Sequence, residues 1–114
     1  MSKAFRTALE RALVPALLLS AVSLPVYSAD PEAGRKLAAQ CKTCHGLDGI
    51  ATIPIAPNLA GESQIYIQNQ LKAFRSGKRE HEMMTVVARD LTDQQIADVA
   101  AWYESIEVTA KLPE

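Results

Sequence analysis

The chain has 114 residues, of which 12 are basic and 13 acidic, so its formal net charge at pH 7 is −1. This balance argues against nucleic acid as a partner, and it gives no large field of one sign from which a protein partner could be named. Only two cysteines and two histidines are present, so chemistry that needs thiols or imidazoles is confined to very few positions.

Residues 1–29 have the layout of a secretory signal peptide. A basic start is followed by an apolar run over residues 12–26, and small residues close the stretch. The run contains two prolines and is shorter than the ~20 apolar residues of a membrane-spanning helix, which disfavours a membrane anchor. We therefore predict cleavage before Ala29 or Asp30, one domain over residues 30–114, and no stable membrane span after cleavage.

A helix is predicted to begin at Asp30, because this side chain can cap it and Pro31 and Glu32 suit the first turn. The helix then runs through an alanine-rich segment towards Cys41. Gly34 lies inside it, where glycine costs roughly 1 kcal/mol relative to alanine. Either the cost is tolerated or another helix approaches closely, and the bulky aromatic residues of the C-terminal segment favour close approach.

Residues 41–45 read Cys-Lys-Thr-Cys-His, a spacing typical of covalent attachment of a c-type haem. The thiols of Cys41 and Cys44 would each form a thioether, and His45 would bind one axial face of the iron. A zinc site would need two further ligands, and the only other cysteine or histidine is His81. A redox dithiol is expected beside a strand–helix–strand pattern, which we do not find. A disulfide across two residues would constrain the unfolded chain very little.

Residues 50–58 contain two prolines and no helical period, so a loop is predicted whose apolar side chains pack against the haem or line its exposed edge. A metal-bound histidine normally donates its second ring N–H to a carbonyl or a carboxylate. The carbonyl of Pro57, twelve residues after His45, is the candidate acceptor. The alternative is that Pro57 is an ordinary loop residue.

Two further helices are predicted. The first runs from residue 62 or 63 to Arg75 and ends at Ser76 and Gly77. The last begins at a capping box formed by Thr92 and Gln95 and extends to about residue 107. Apolar residues recur at helical spacing in both: Ile67, Leu71 and Phe74 in the first, and Ile96, Val99, Ala100, Tyr103 and Ile106 in the last, with Trp102 beside that stripe and near Gly34.

Between these helices, Met83 and Met84 are candidates for the second axial ligand. A thioether is a soft ligand, and ligation by Met and His raises the haem potential, although methionine in a small domain is more often a core residue. A haem motif needs either a sixth ligand or an open site, which favours a ligand role here. His81 is the rival, and we place it second, as a surface or propionate-side residue.

These segments resemble the class I c-type cytochromes. The likeness is greatest to the small soluble bacterial type and to one half of the two-haem carriers built from duplicated domains. It covers essentially residues 30–114 and rests on residues 41–46, 57–61, 70–79, 84–92 and 100–103.

The resemblance implies an all-α domain wrapped around one covalently attached haem c. The methionine ligand of the family lies four residues before an alanine and seven before a leucine, which here are Ala88 and Leu91. Met84 satisfies this spacing and Met83 does not, so the resemblance implies His45 and Met84 as axial ligands. The proline that supports the histidine in the family matches Pro57.

The implied function is one-electron transfer between redox proteins in the periplasm, without enzymatic activity. One alternative is a haem c subunit that acts as a fixed electron relay in a larger dehydrogenase or redox complex. The other is a haem enzyme or gas sensor with an open sixth site, in which Met84 is only a core residue.

Overall fold

The computed structural model describes residues 28–114, so residues 1–27 of the predicted leader lie outside the described part of the chain. The described residues are helical and contain no strand, which confirms the all-α prediction. The helices are α1 (Pro31–Leu37), α2 (Lys42–His45), α3 (Gln64–Ser76), α4 (Met84–Ala88) and α5 (Asp93–Glu104), with a 3-10 turn over Ala38–Gln40. Within residues 28–114 we find no helix with the length and apolar character needed to cross a bilayer.

Helix α1 begins where the sequence predicts. Oδ1 of Asp30 accepts hydrogen bonds from the backbone N–H groups of Glu32 at 2.9 Å and Ala33 at 3.3 Å, and these are donors that the helix itself leaves without partners. The backbone N–H of Asp30 donates to Oδ1 of Asp98 at 2.8 Å. The start of α1 is therefore tied to α5 as well as capped.

Helices α1 and α5 cross at Gly34. A Cβ atom on Gly34 would lie 1.9 Å from the carbonyl oxygen of Asp98 and 3.0 Å from Cβ of Trp102. The predicted close approach is confirmed, and it explains why a residue that is poor in helices stands in the middle of α1. The helix cannot move away from α5 without also losing the bond from Asp30 to Asp98.

The core lies where α3, α4 and α5 meet the end of α1. Ser63 caps α3, Gly77 ends it with a φ of 80°, and the predicted capping box of Thr92 and Gln95 begins α5. The buried residues of this core cluster are Ala38, Ile67, Leu71, Phe74, Ala88, Ile96, Val99, Ala100 and Tyr103. Both predicted apolar stripes are buried, except that Ile106 follows the end of α5 and is only half-buried.

Arg75 connects the end of α3 to the start of α5. Its guanidinium donates to the carbonyl of Leu91 at 2.7 Å and to Oδ1 of Asp93 at 2.5 Å. The hydrogen bond and the positive charge of Arg75 lower the pKa of Asp93. The segment between α3 and α5, which contains the two adjacent methionines, is therefore held at both ends.

The crossing at Gly34 predicts a large cost for a single added methyl group. In Gly34→Ala the new Cβ must displace the backbone of α5, because the nearest atom is a carbonyl oxygen rather than a flexible side chain. We expect a loss of about 3 kcal/mol in the free energy of unfolding, measured by denaturant titration of the full chain. Lys36→Ala, at an exposed position of the same helix, should change it by less than about 0.5 kcal/mol, and equal effects of the two changes would contradict this account.

Candidate functional site

The motif at residues 41–45 folds as one helical turn. The backbone N–H of His45 donates to the carbonyl of Cys41 at 3.0 Å, and that of Cys44 to the same carbonyl at 3.2 Å. Residues three and four positions apart lie on the same face of a helix. Cys41, Cys44 and His45 therefore share one face, so two thiols and one imidazole can reach a single bound group.

The two thiols are free and half-buried. Burial raises the pKa of the Cys41 thiol to about 11, and the neighbouring Tyr103 hydroxyl offsets part of the rise. A redox dithiol needs a thiolate, which a lowered pKa provides, so the environment of Cys41 opposes that interpretation.

A metal site built from side chains alone is not found in residues 28–114, because no three His, Cys, Asp or Glu side chains there are close enough together to hold a metal ion.

His45 is buried, with 8 % of its surface exposed, and its Nδ1 lies 2.9 Å from the carbonyl oxygen of Pro57. A carbonyl oxygen can only accept, so Nδ1 carries a proton, and in the neutral ring the lone pair then lies on Nε2. The contact between these two residues is the one predicted from the sequence. Metal-binding histidines usually donate their second ring N–H to a carbonyl or a carboxylate, and the bond to Pro57 gives His45 the same tautomer and the same kind of partner.

The loop that brings Pro57 to His45 is closed by backbone hydrogen bonds. The carbonyl of Gly49 accepts from the N–H groups of Leu59 at 2.7 Å and Ala60 at 3.1 Å. Gly49 has a φ of 73°, and a Cβ there would lie 2.4 Å from the nitrogen of Ala60, so a residue other than glycine would open the loop. Oδ1 of Asn58 also accepts from the N–H of Ala51 at 2.8 Å, a role that sequence reasoning missed.

Two adjacent aromatic residues of α5 hold the turn that follows the motif. Nε1 of Trp102 donates to the carbonyl of Leu47 at 2.9 Å, and the hydroxyl of Tyr103 donates to the carbonyl of Gly46 at 3.0 Å. Burial raises the pKa of Tyr103, which keeps its hydroxyl protonated as a donor. Sequence reasoning placed Tyr103 in the apolar stripe of the last helix and Trp102 beside that stripe, near Gly34, but missed these bonds. The available signal was that the polar end of a buried Trp or Tyr usually finds a partner.

The two adjacent methionines differ in their surroundings. Met84, the first residue of α4, is half-buried and packs against the core cluster, whereas Met83 has 57 % of its surface exposed. His81 is exposed, and its Nδ1 faces the backbone N–H groups of Met83 and Met84. The short helix α4 was not predicted, since a segment of five residues is too short to show a helical period.

The chain matches the cytochrome c family over residues 31–107. It is 43 % identical over 81 residues to cytochrome c-554(548) of Halomonas halodenitrificans, an alignment that covers 68 % of this chain and 98 % of that protein. Among solved structures, reduced recombinant cytochrome c4 from Pseudomonas stutzeri superposes with a TM-score of 0.66 at 34 % identity, over 70 % of this chain and 47 % of that one.

A further structural neighbour is the thiosulfate dehydrogenase from Marichromatium purpuratum in its as-isolated form. The TM-score is 0.63 and the identity 35 %, over 72 % of this chain but only 20 % of that one. The chain thus spans nearly all of one relative, about half of a cytochrome c4 and a small part of a larger enzyme. Together with the helical fold and the turn formed by residues 41–45, these matches show that the chain belongs to the cytochrome c family of electron-transfer proteins, whose haem is covalently bound.

Proposed function

We propose that this chain is a periplasmic one-electron carrier with one haem c, attached through Cys41 and Cys44 and ligated by His45 and Met84. The observation that carries the proposal is the hydrogen bond between Nδ1 of His45 and the carbonyl of Pro57. It orients the imidazole and leaves Nε2 free to bind iron, on the same helical face as the two thiols.

The residues present fit the group that the family binds. Two thiols and an imidazole on one helical turn are the donor set for two thioethers and one axial bond. When bound, a haem iron supplies a one-electron couple between ferric and ferrous states. The chain's own contribution is to hold His45 through Pro57 and to hold the following turn through Trp102 and Tyr103.

Met84 is the favoured second ligand because of its burial. It packs against the core cluster at the start of α4, while the side chain of Met83 is mostly in solvent. The thioether of Met84 is therefore on the inner side of this segment, where it is available to a haem bound within the domain. With both axial positions filled by protein, oxygen and peroxide would find no open position on the iron, which suits a carrier rather than an enzyme.

The predicted leader over residues 1–29 supports export, and we propose the periplasm as the site of function. The partners are redox proteins, and apolar side chains of the loop over residues 50–58 offer a contact surface. Ile50 and Ile55 in this loop are 50 % and 77 % exposed. We propose that this surface lies at the exposed haem edge and meets the electron donor and acceptor.

A fixed relay within a larger complex is the second candidate function. The observation that favours it is the similarity to one-fifth of the thiosulfate dehydrogenase from Marichromatium purpuratum, where a domain of this fold is part of a longer chain. Purification of the exported protein from its native host distinguishes the two functions. A carrier elutes alone at the size of one small domain or of a small oligomer, whereas a relay elutes with a larger redox protein.

Replacement of each methionine tests the axial ligand. In Met84→Ala the ferrous protein should bind carbon monoxide rapidly, and its midpoint potential should fall, because the thioether that favours the ferrous state is lost. Met83→Ala is the matched control and should leave both properties unchanged. Stopped-flow mixing with carbon monoxide and a spectroscopic redox titration make the measurements.

Two results would contradict the proposal. If the unaltered protein already binds carbon monoxide rapidly and tightly at neutral pH, the sixth site is open and the chain is a sensor or an enzyme. If Met83→Ala opens the site and Met84→Ala does not, the ligand is the exposed methionine.

Replacement of the cysteines tests covalent attachment and the haem count. In Cys41→Ser or Cys44→Ser one thioether should remain, so denaturing mass spectrometry should still find one haem on the polypeptide when the variant is matured. In the double variant the haem should be extracted completely by acidified organic solvent. Detection of a second haem on the unaltered chain, or retention of haem by the double variant, would overturn the assignment.

A further inference from the structure

The two adjacent methionines lie within a turn over residues 81–85 that is closed by four hydrogen bonds. Nδ1 of His81 accepts from the backbone N–H of Met83 at 3.2 Å and from that of Met84 at 3.4 Å. The N–H of His81 donates to Oγ1 of Thr85 at 3.0 Å, and the N–H of Thr85 returns a bond to the carbonyl of His81 at 2.9 Å. His81 is thus bonded on both its side chain and its backbone to the segment that holds Met84.

We propose that His81, supported by Thr85, is a positioning residue that holds Met84 in place as the second axial ligand. This inference rests on the proposed function, because it assigns a role towards the group that Met84 is proposed to bind. His81, which the sequence made a rival candidate for the axial ligand, is in this proposal the residue that orients the ligand.

His81 supplies the cap that α4 otherwise lacks. The helix has only five residues, and its N-cap residue, Met83, makes no side-chain capping bond. Ser, Thr, Asp and Asn usually supply the acceptor for the first N–H groups of a helix. Here the imidazole of His81 supplies it, and one of the two donors is the backbone N–H of Met84 itself.

The turn is also connected to the core. The ring of His81 packs edge-on against Phe74 of α3, with the centroids 6.5 Å apart and an interplanar angle of 73°. Phe74 is buried, and the guanidinium of Arg79 covers its ring at 4.5 Å. The bonds from His81 therefore fix the backbone of Met84 relative to α3, and not only relative to its own neighbours.

The tautomer of His81 suits a hydrogen-bond acceptor rather than a metal ligand. Because Nδ1 of His81 accepts from backbone N–H groups, the neutral ring carries its proton on Nε2. This is the opposite tautomer from that of His45, whose Nδ1 donates to Pro57. In its observed position, His81 has one nitrogen engaged by the backbone and the other protonated, so neither offers a free lone pair to a metal.

The test uses the haem-loaded protein with His81→Ala. Loss of a capping acceptor should raise the population with Met84 detached by roughly 5- to 30-fold, so the rate of carbon monoxide binding to the ferrous protein should rise by the same factor. The absorption band that arises from thioether ligation of the ferric iron should weaken. His81→Asn is the rescue variant, because Oδ1 of asparagine can accept the same two bonds, and it should restore most of both signals.

The matched control is Glu82→Ala, at an exposed neighbouring position, which should leave both signals unchanged. If His81→Ala cannot be obtained folded, Thr85→Ala removes the other half of the turn and should shift both signals in the same direction. If neither of these variants changes carbon monoxide binding in a protein whose Met84→Ala variant binds it rapidly, the positioning role is wrong while the proposed ligand stands. If the unaltered protein binds carbon monoxide rapidly, the proposed function itself fails.

Discussion

The close contact between α1 and α5 is the constraint on which the rest of the domain depends. At Gly34 the backbones approach so closely that a single Cβ atom would overlap the carbonyl of Asp98. This contact sets the position of α5, and α5 carries Trp102 and Tyr103, which hold the turn after residue 45. The turn over residues 41–45 thus owes its position to two helices that begin about sixty residues apart in the chain.

The two histidines illustrate how identical side chains acquire different roles. His45 donates through Nδ1 to a carbonyl and keeps Nε2 free, whereas His81 accepts through Nδ1 from two backbone N–H groups. The difference comes from the groups that each backbone segment presents. Where a loop brings a carbonyl to Nδ1, that nitrogen is the donor and the lone pair of Nε2 remains for a metal. Where a helix start brings backbone N–H groups to Nδ1, the lone pair of Nδ1 is taken up by those hydrogen bonds.

Much of the fold could be predicted because its signals are local. The caps Asp30 and Thr92, the C-terminal Gly77 and the apolar spacing in α3 and α5 all act within a few residues, and the structure confirms each of them. Helix α4 and the hydrogen bonds of Asn58, Trp102 and Tyr103 could not be predicted in this way. Helix α4 is too short to show a helical period, and the three hydrogen bonds depend on partners that only the folded chain brings near.

The sequence by itself determined the spacing of two thiols and an imidazole and a short set of candidates for a second ligand, and it made Pro57 a candidate partner of His45. Covalent spacing and local capping are properties of neighbouring residues, so they can be read from the chain directly. Only the tertiary structure showed that Met84 packs against the core while Met83 is mostly exposed, since the two side chains have the same chemistry and their burial depends on how the segment folds. It also gave His81 its partners, because the direction of a ring nitrogen depends on how the backbone around it is folded and packed.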